Sequence, residues 1–154
     1  MDNKILNYLE AICAKREYCS SDIRQKAFKK TEGDAATADE LGRRLTEEGF
    51  VDDLRYASAF AREKSALTGW GPVKIRFALK AKKIDSQIID SALQEIDSQR
   101  ASSKLERILE AKAGSLEGDP QKKYKLIRFA LSRGYEYSDV ESAVNRVLDG
   151  GPER

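Results

Sequence analysis

The residues of this sequence whose type and spacing could do chemistry are lysines and arginines. No acidic residue stands between Glu63 and Asp85, yet six basic residues do: Lys64, Lys74, Arg76, Lys80, Lys82 and Lys83. At about 100° per residue, a helix over 72–83 brings Arg76, Lys80 and Lys83 to one side. Its other side is apolar: Ile75, Ala78 and Leu79, extended by Phe77 and Ala81. Such a basic face binds acidic partners or is simply solvated.

Residues for catalysis or metal binding are missing from the sequence. It contains no histidine, which removes nucleophile–histidine pairs and the commonest general base. Its two cysteines, Cys13 and Cys19, cannot complete a four-ligand zinc site and do not have C-x-x-C spacing. We expect Cys13 in the core and Cys19 as a free thiol near a helix end. No glycine-rich phosphate loop occurs, so the sequence predicts no catalytic residue, no cofactor and no metal.

The elements that must position the basic residues are helices throughout. Apolar residues recur at helical intervals, as in Ile5, Leu9 and Ile12. Helix starts are marked by capping patterns such as Thr37 followed by Glu40, and Pro72 sits where a first helical residue belongs. No segment shows the two-residue alternation of a half-buried strand. The pattern predicts nine helices and an all-α fold.

These helices repeat in groups of three. An Ile-Arg dipeptide begins at Ile23, Ile75 and Ile127, each 52 residues after the last, and 75–79 and 127–131 are the same string, IRFAL. Helical arrays have periods of this order, and each unit completes its core by stacking on its neighbours. We therefore expect three units, stacked into an elongated, curved rod: 1–49, 50–98 and 99–154.

The middle helix of each unit is the basic one. Its candidate contact residues are, in chain order, Arg24, Lys26, Arg76, Lys80, Lys83, Lys122, Lys125 and Arg128. If the units stack, these helices line one side of the rod as a positive stripe. Such a stripe suits a long, repetitive, acidic partner, such as nucleic acid or a nucleoprotein filament. The alternative, three solvated faces, stays open at this point.

One stretch of the chain resembles a known family. The segments GFVDDLRYASAF and GWGPVKIRFAL, with the helix from Asp85, are similar to the central part of the RecX family, whose members regulate the RecA recombinase. Gly69, Gly71, Pro72, Ile75 and Leu79 meet the family pattern G-x-G-P-x-x-I-x-x-x-L; Asp53, Tyr56 and Ala57 meet its aspartate-aromatic-alanine segment. One departure is Lys82-Lys83, where the family usually has Lys-Gly; Arg133-Gly134 keeps the glycine in the third unit.

The resemblance covers nearly the whole chain and implies three tandem three-helix repeats. It also implies a non-enzymatic protein that binds RecA filaments on DNA and restrains them, lowering ATP hydrolysis and strand exchange in DNA repair and recombination. The basic helices would then contact DNA phosphates or acidic RecA surfaces, and DNA would be reached through the filament, with weak binding by the protein alone. Trp70 is expected to be a partly buried aromatic at a repeat junction; the rival interpretation is an exposed interface anchor.

Two other functions fit the residues. One is a helical-repeat nucleic-acid binder without a RecA partner, and the other is a protein–protein scaffold with solvated basic faces. The sequence has no apolar run long enough for a membrane span and no signal-peptide block. We therefore expect a cytoplasmic monomer.

Overall fold

A computed structural model describes residues 3–150 of the chain. In this range the backbone forms nine α-helices: α1 Asn3–Lys15, α2 Ser20–Lys30, α3 Ala35–Glu47, α4 Asp53–Glu63, α5 Pro72–Ala81, α6 Ser86–Gln94, α7 Ser98–Ser115, α8 Lys122–Ser132 and α9 Tyr137–Leu148. A π-helical turn, Lys64–Thr68, continues α4. No strand occurs among the described residues. The predicted all-α fold of nine helices is confirmed.

The chain divides into two compact units. The first contains the residues up to Ala59 together with Leu79–Ala92, and the second contains Phe60–Ala78 together with the residues from Leu93 onward. The predicted repeat boundaries at 49/50 and 98/99 and the rod shape stay predictions. The outer ends of the predicted first and third repeats, residues 1–2 and 151–154, lie outside the described part of the chain.

Each unit has its own apolar core. In the first unit, leucines of α1 and α3 pack with Ile23 and Ala27 of α2. In the second, Leu105 and Leu109 of α7 pack with Leu126 and Ala130 of α8, and α9 adds small branched side chains. The buried positions on each helix are three or four residues apart, as the sequence pattern predicts.

The three middle helices, α2, α5 and α8, end in the same way. After each comes a residue with a left-handed backbone: Glu32 (φ 58°), Lys83 (φ 61°) and Gly134 (φ 91°). The next amide then donates to a carbonyl five residues earlier, as from Ile84 to Leu79 over 3.3 Å. This is the Schellman cap, which normally uses glycine because a Cβ disfavours the left-handed region. Lys83 adopts the conformation of that missing glycine.

The structure corrects the repeat register inferred from the IRFAL string. Ile75 and Leu79 are fully buried in the second copy, but in the third the fully buried pair is Leu126 and Ala130, and Leu131 is 40% exposed. The caps at Lys83 and Gly134 are likewise 51 residues apart, not 52. A slip of one residue turns a helix by about 100°. The identical strings therefore present different faces.

This shift changes which side chains correspond. Arg128 of α8 is the counterpart of Phe77, not of Arg76. By burial, Arg24 keeps its predicted correspondence with Arg76, because the buried residues Ile23 and Ile75 are 52 residues apart; the caps at Glu32 and Lys83, however, are 51 residues apart. Phe77, expected in the apolar arc of its helix, is instead 77% exposed, and Phe28 of α2 is 45% exposed.

Candidate basic surface of the middle helices

The start of α5 is fixed by the Gly-Trp-Gly-Pro segment at 69–72. The amide of Gly71 donates to the carbonyl of Arg133 over 2.7 Å, and the amide of Val73 donates to the carbonyl of Gly134 over 2.8 Å. The first-turn donors of α5 therefore meet the last carbonyls of α8, groups that each helix leaves without an internal partner. The opposite partial charges of the two helix ends also attract.

Close backbone approach is why glycines stand at this joint. A Cβ on Gly71 would overlap the carbonyl of Gly134, and a Cβ on Gly134 would overlap the Cβ of Lys74. The buried Tyr135 hydroxyl donates to the carbonyl of Gly69 over 2.9 Å. Burial raises the pKa of this phenol above its ordinary value, so it stays a donor at neutral pH. The joint orients α5, and with it the basic residues of that helix.

Trp70 is half-buried beside this joint. Its ring meets the Phe60 ring edge-on, with centroids 6.2 Å apart. The ammonium groups of Lys64 and Lys74 lie 4.8 Å and 4.6 Å from the indole centroid, which is cation–π distance. Its faces therefore carry contacts within the protein. The choice between a structural aromatic and an interface anchor stays a prediction.

The candidate cations of α2 have local partners. Arg24 Nε lies 2.5 Å from a carboxylate oxygen of Asp39 on α3, and both side chains are exposed. The ammonium group of Lys26 lies 5.4 Å from the ring centroid of Tyr18. These contacts hold the side chains in place, and the charge of Arg24 is largely compensated.

The candidate cations of α5 are placed differently. Arg76 is half-buried, whereas Lys80 and Lys83 are exposed. We predicted a helix through Lys83, but α5 ends at Ala81, because Lys83 takes the left-handed cap position. Among residues 3–150, Lys80 and Lys83 have no carboxylate within ion-pair distance. Their charges are available to an acidic partner.

The candidate cations of α8 are again mostly paired. Lys125 Nζ lies 2.7 Å from Asp119, and this hydrogen bond lowers the pKa of the Asp119 carboxyl. Lys122 Nζ lies 3.5 Å from Glu117. The guanidinium carbon of Arg128 is 5.7 Å from the ring centroid of Tyr124. Of the three, only Arg128 has an aromatic rather than an acidic neighbour.

Two of the candidates line one cleft in the first unit. It has a volume of about 640 Å³ and lies along α2, α3 and the end of α5, where Arg24 and Lys83 face it together with Lys82 and Arg43. Lys82 pairs with Asp22 across the cleft at 3.0 Å. The structure thus brings Arg24 and Lys83 to one surface.

Exposed apolar side chains on the same helices were missed by sequence reasoning. Phe77, Tyr124 and Val73 are 77%, 58% and 46% exposed. A sequence signal existed for Phe77, because it lies two positions from Ile75 and so about 200° around the helix from a buried residue. The middle helices therefore present aromatic and basic side chains together.

The two thiols lie where they were expected along the chain, but their burial differs from the expectation. Cys19 precedes α2, as a helix-end residue should, but it is fully buried, with its Sγ 3.3 Å from the Ser21 hydroxyl. Cys13 is only partly buried against the first core. Burial raises the pKa of both thiols, and both are free.

The described residues contain neither a cluster of metal ligands nor a helix suited to a bilayer. Within 3–150 no three histidine, cysteine or acidic side chains converge as metal ligands. No helix in that range has the length and apolarity to cross a membrane.

Comparison with known proteins identifies the family. A family model described as RecX, second three-helix domain, matches residues 52–93, and one described as RecX, third three-helix domain, matches residues 102–144. These ranges correspond closely to α4–α6 and α7–α9.

Relatives named regulatory protein RecX are similar along the chain. One from Pectobacterium atrosepticum is 30% identical over 163 aligned residues, which cover 96% of this chain and 99% of the relative. One from Clostridium tetani is 38% identical over 108 residues, covering 68% of this chain and 49% of the relative. The chain thus spans about half the length of the second relative.

Solved structures show the same fold at low sequence identity. The crystal structure of RecX from Lactobacillus salivarius matches with a TM-score of 0.86 at 19% identity, covering 95% of this chain and 96% of that one. Another crystal structure, of a regulatory protein RecX, matches with a TM-score of 0.84 and covers 93% and 71%. The two family models, which together match more than half of the sequence, and the full-length Pectobacterium match show that this chain belongs to the RecX family of regulatory proteins.

Proposed function

We propose that this protein is a non-enzymatic regulator that binds RecA–DNA filaments and lowers their ATP hydrolysis and strand exchange. The observation that carries the proposal is similarity to a regulatory protein RecX along 96% of the chain. The sequence offers no histidine and no phosphate loop for a reaction of its own. In this proposal, the protein acts in DNA repair and recombination by restraining the filament.

The surface of the middle helices supports filament binding. A RecA–DNA filament repeats its protein subunits and its phosphates at regular intervals, so a ligand built from repeated helices can contact several of them. Lys80 in the last turn of α5 and Lys83 in its cap offer uncompensated charge, and Phe77 of the same helix offers exposed aromatic area. Exposed aromatic and basic residues are common at the centres of protein interfaces. Cations also attract an acidic filament over some distance.

The direct test is the DNA-dependent ATPase of RecA. Filaments are assembled on DNA first, and the protein is then added in increasing amounts. We expect the ATPase rate to fall and strand exchange to slow at amounts of protein that saturate the filament. An unchanged rate, while the protein sediments with filaments, would show that it binds without inhibiting.

The same experiment separates the two alternative functions. A nucleic-acid binder without a RecA partner would inhibit only when it is added before RecA, and excess free DNA would abolish its effect. A protein scaffold would neither sediment with filaments nor alter the rate. Inhibition of preassembled filaments, whether the protein is added before or after RecA, is the outcome we expect.

A further inference from the structure

A second cleft lies in the second unit, and none of the candidate residues of the middle helices lines it. It has a volume of about 740 Å³ and runs between the end of α4 with its π-helical turn and the first half of α7. Its lining is basic and hydroxylic: Arg62, Ser65, Arg100, Ser103, Lys104 and Arg107. No family resemblance in the sequence pointed to these residues.

Three of the cations form a line along α7. Arg100, Lys104 and Arg107 are spaced by four and three residues, so they share one helix face. Between the first and the last the helix rises about 10 Å. Within residues 3–150, none of the three has a carboxylate at ion-pair distance, in contrast to Arg24, Lys122 and Lys125. Their charge is available to a ligand in the cleft.

The acidic residues at the cleft are already engaged. Asp97 caps α7, where its carboxylate accepts from the amides of Gln99 and Arg100 at 2.9 Å and 3.2 Å. Glu95 lies 3.6 Å from the guanidinium of Arg62 on the opposite wall. Both carboxylates therefore serve the structure of the cleft. The line of cations on α7 makes the charge of the cleft positive.

The backbone opposite α7 is built to let this helix approach. Gly69 ends the π-helical turn with φ 75°, and a Cβ there would lie 2.8 Å from Cδ1 of Ile108 and 3.4 Å from Cε of Lys104. The stem of Lys104 is thus held against Gly69. Isolated π-helical turns of this kind often occur at functional sites, and this one contributes Ser65 and Ala66 to the wall.

We propose that this cleft binds the sugar–phosphate backbone of a nucleic-acid strand directly. Guanidinium groups fit phosphate oxygens with two parallel hydrogen bonds, and serine hydroxyls are common phosphate donors. Three cations in one line can neutralise up to three phosphates of a single strand. The lining has no aromatic side chain, so a strand in the cleft would be held through its sugar–phosphate backbone and not by stacking of its bases. The inference goes beyond the proposed function, because it requires no RecA.

The test measures binding of a fluorescein-labelled single-stranded oligonucleotide to the full chain by anisotropy, across a salt series and without RecA. The variant carries Arg100→Ala, Lys104→Ala and Arg107→Ala. We expect its affinity at low salt to fall by about tenfold or more. The slope of log affinity against log salt should become shallower by about 2, since each phosphate neutralised on a single strand adds roughly 0.7 to that slope.

A matched control removes two arginines and one lysine elsewhere, through Lys15→Ala, Arg44→Ala and Arg146→Ala. Arg44 and Arg146 lie on α3 and α9 in exposed ion pairs, and Lys15 is exposed in the last turn of α1. We expect this control to bind the oligonucleotide almost as the parent does. A second variant, Ser103→Glu, keeps every cation and places a negative charge in the cleft. It should weaken binding as well, which guards against a folding defect in the triple variant.

Three outcomes would overturn the inference: a parent that does not bind the oligonucleotide at low salt, cleft variants that bind like the parent, or a control whose affinity falls as far as that of the cleft variant. A cleft variant that keeps oligonucleotide binding but no longer binds filaments would assign the cleft to a protein surface instead. The RecA ATPase assay is independent of these results, so failure here leaves the proposed function standing.

Discussion

The backbone amide of Gly71 donates to the carbonyl of Arg133 over 2.7 Å, so α5 begins where α8 ends. The contact explains why the family pattern around α5 has glycine and proline at its start. Gly71 permits the close approach, and Pro72 needs no hydrogen-bond acceptor at the first helical position. The motif that made the sequence recognisable is therefore a helix-to-helix joint within the second unit.

Substitution of this glycine should destabilise the protein. Gly71→Ala places a methyl group against the carbonyl of Gly134, and we expect a loss of about 2 kcal/mol, typical of overpacking. Gly42→Ala is the matched control, because Gly42 lies inside α3 with open space around it. It should gain up to about 1 kcal/mol from helix propensity. Urea unfolding of both variants measures their free energies of unfolding. Equal values would show that the joint does not depend on the close approach at Gly71.

Introducing a glycine at position 83 should have the opposite effect and stabilise the protein. Lys83 holds a left-handed backbone that costs a non-glycine residue about 1–2 kcal/mol, and glycine occupies the same cap position at Gly134. We expect Lys83→Gly to stabilise the protein by about 1 kcal/mol in thermal or urea unfolding. Lys83→Ala, which keeps the strain but removes the charge, is the control and should leave stability nearly unchanged. A destabilising glycine would mean that the lysine side chain supports the cap.

The sequence determined the fold class more securely than the register of its repeats. Helical periodicity acts locally, so each helix could be predicted from its own residues. The predicted cap at Thr37 was wrong, because Asp34 caps α3 and accepts a hydrogen bond from the amide of Thr37. Register depends on which face meets the core. A helix containing the string IRFAL can bury either of two faces, because Leu126 supplies an apolar residue one position before Ile127. In α8 the buried face is the one that contains Leu126 and Ala130. The α7 cleft was likewise beyond prediction, because Arg62 and Arg100 are brought together only by packing.

The two thiols should differ sharply in reactivity. Cys19 is fully buried and Cys13 only partly, and burial raises both pKa values. A raised pKa leaves less thiolate at a given pH, so both cysteines should react more slowly near pH 8 than a fully exposed cysteine. We expect Ellman's reagent to modify Cys13 slowly in the native protein and Cys19 only after unfolding. In a Cys13→Ser variant, rapid native modification would show that Cys19 is accessible.

The charge of the middle helices should act through its unpaired members. Lys80→Glu with Lys83→Glu is expected to weaken binding to RecA–DNA filaments strongly. The salt slope should become shallower by about 0.9 for each phosphate that the variant no longer neutralises. Arg24→Glu with Lys125→Glu changes net charge equally but alters side chains already within 2.7 Å of carboxylates, so its effect on binding should be smaller. Sedimentation with filaments at several salt concentrations measures both.

Stability separates that result from a folding defect. Exposed charges contribute little to folding, so both pairs of substitutions should leave the unfolding midpoint nearly unchanged. If the Lys80 and Lys83 variant binds filaments like the parent at low and high salt, the second middle helix is only a solvated face. The filament would then have to bind other surfaces of the protein.

Trp70 and Phe77 give the last comparison, because one aromatic has its contacts inside the protein and the other is mostly exposed. Trp70 touches the Phe60 ring and two lysine ammonium groups, so we expect Trp70→Phe to cost about 1 kcal/mol of stability, since a cation binds the smaller ring less strongly. Inhibition of the RecA ATPase should be retained. Phe77→Ala should scarcely affect unfolding, because this side chain is 77% exposed, but it should weaken inhibition if the middle helix lies in the interface. The opposite pattern, a folded Trp70→Phe protein without inhibition beside a fully active Phe77→Ala protein, would make Trp70 the interface anchor.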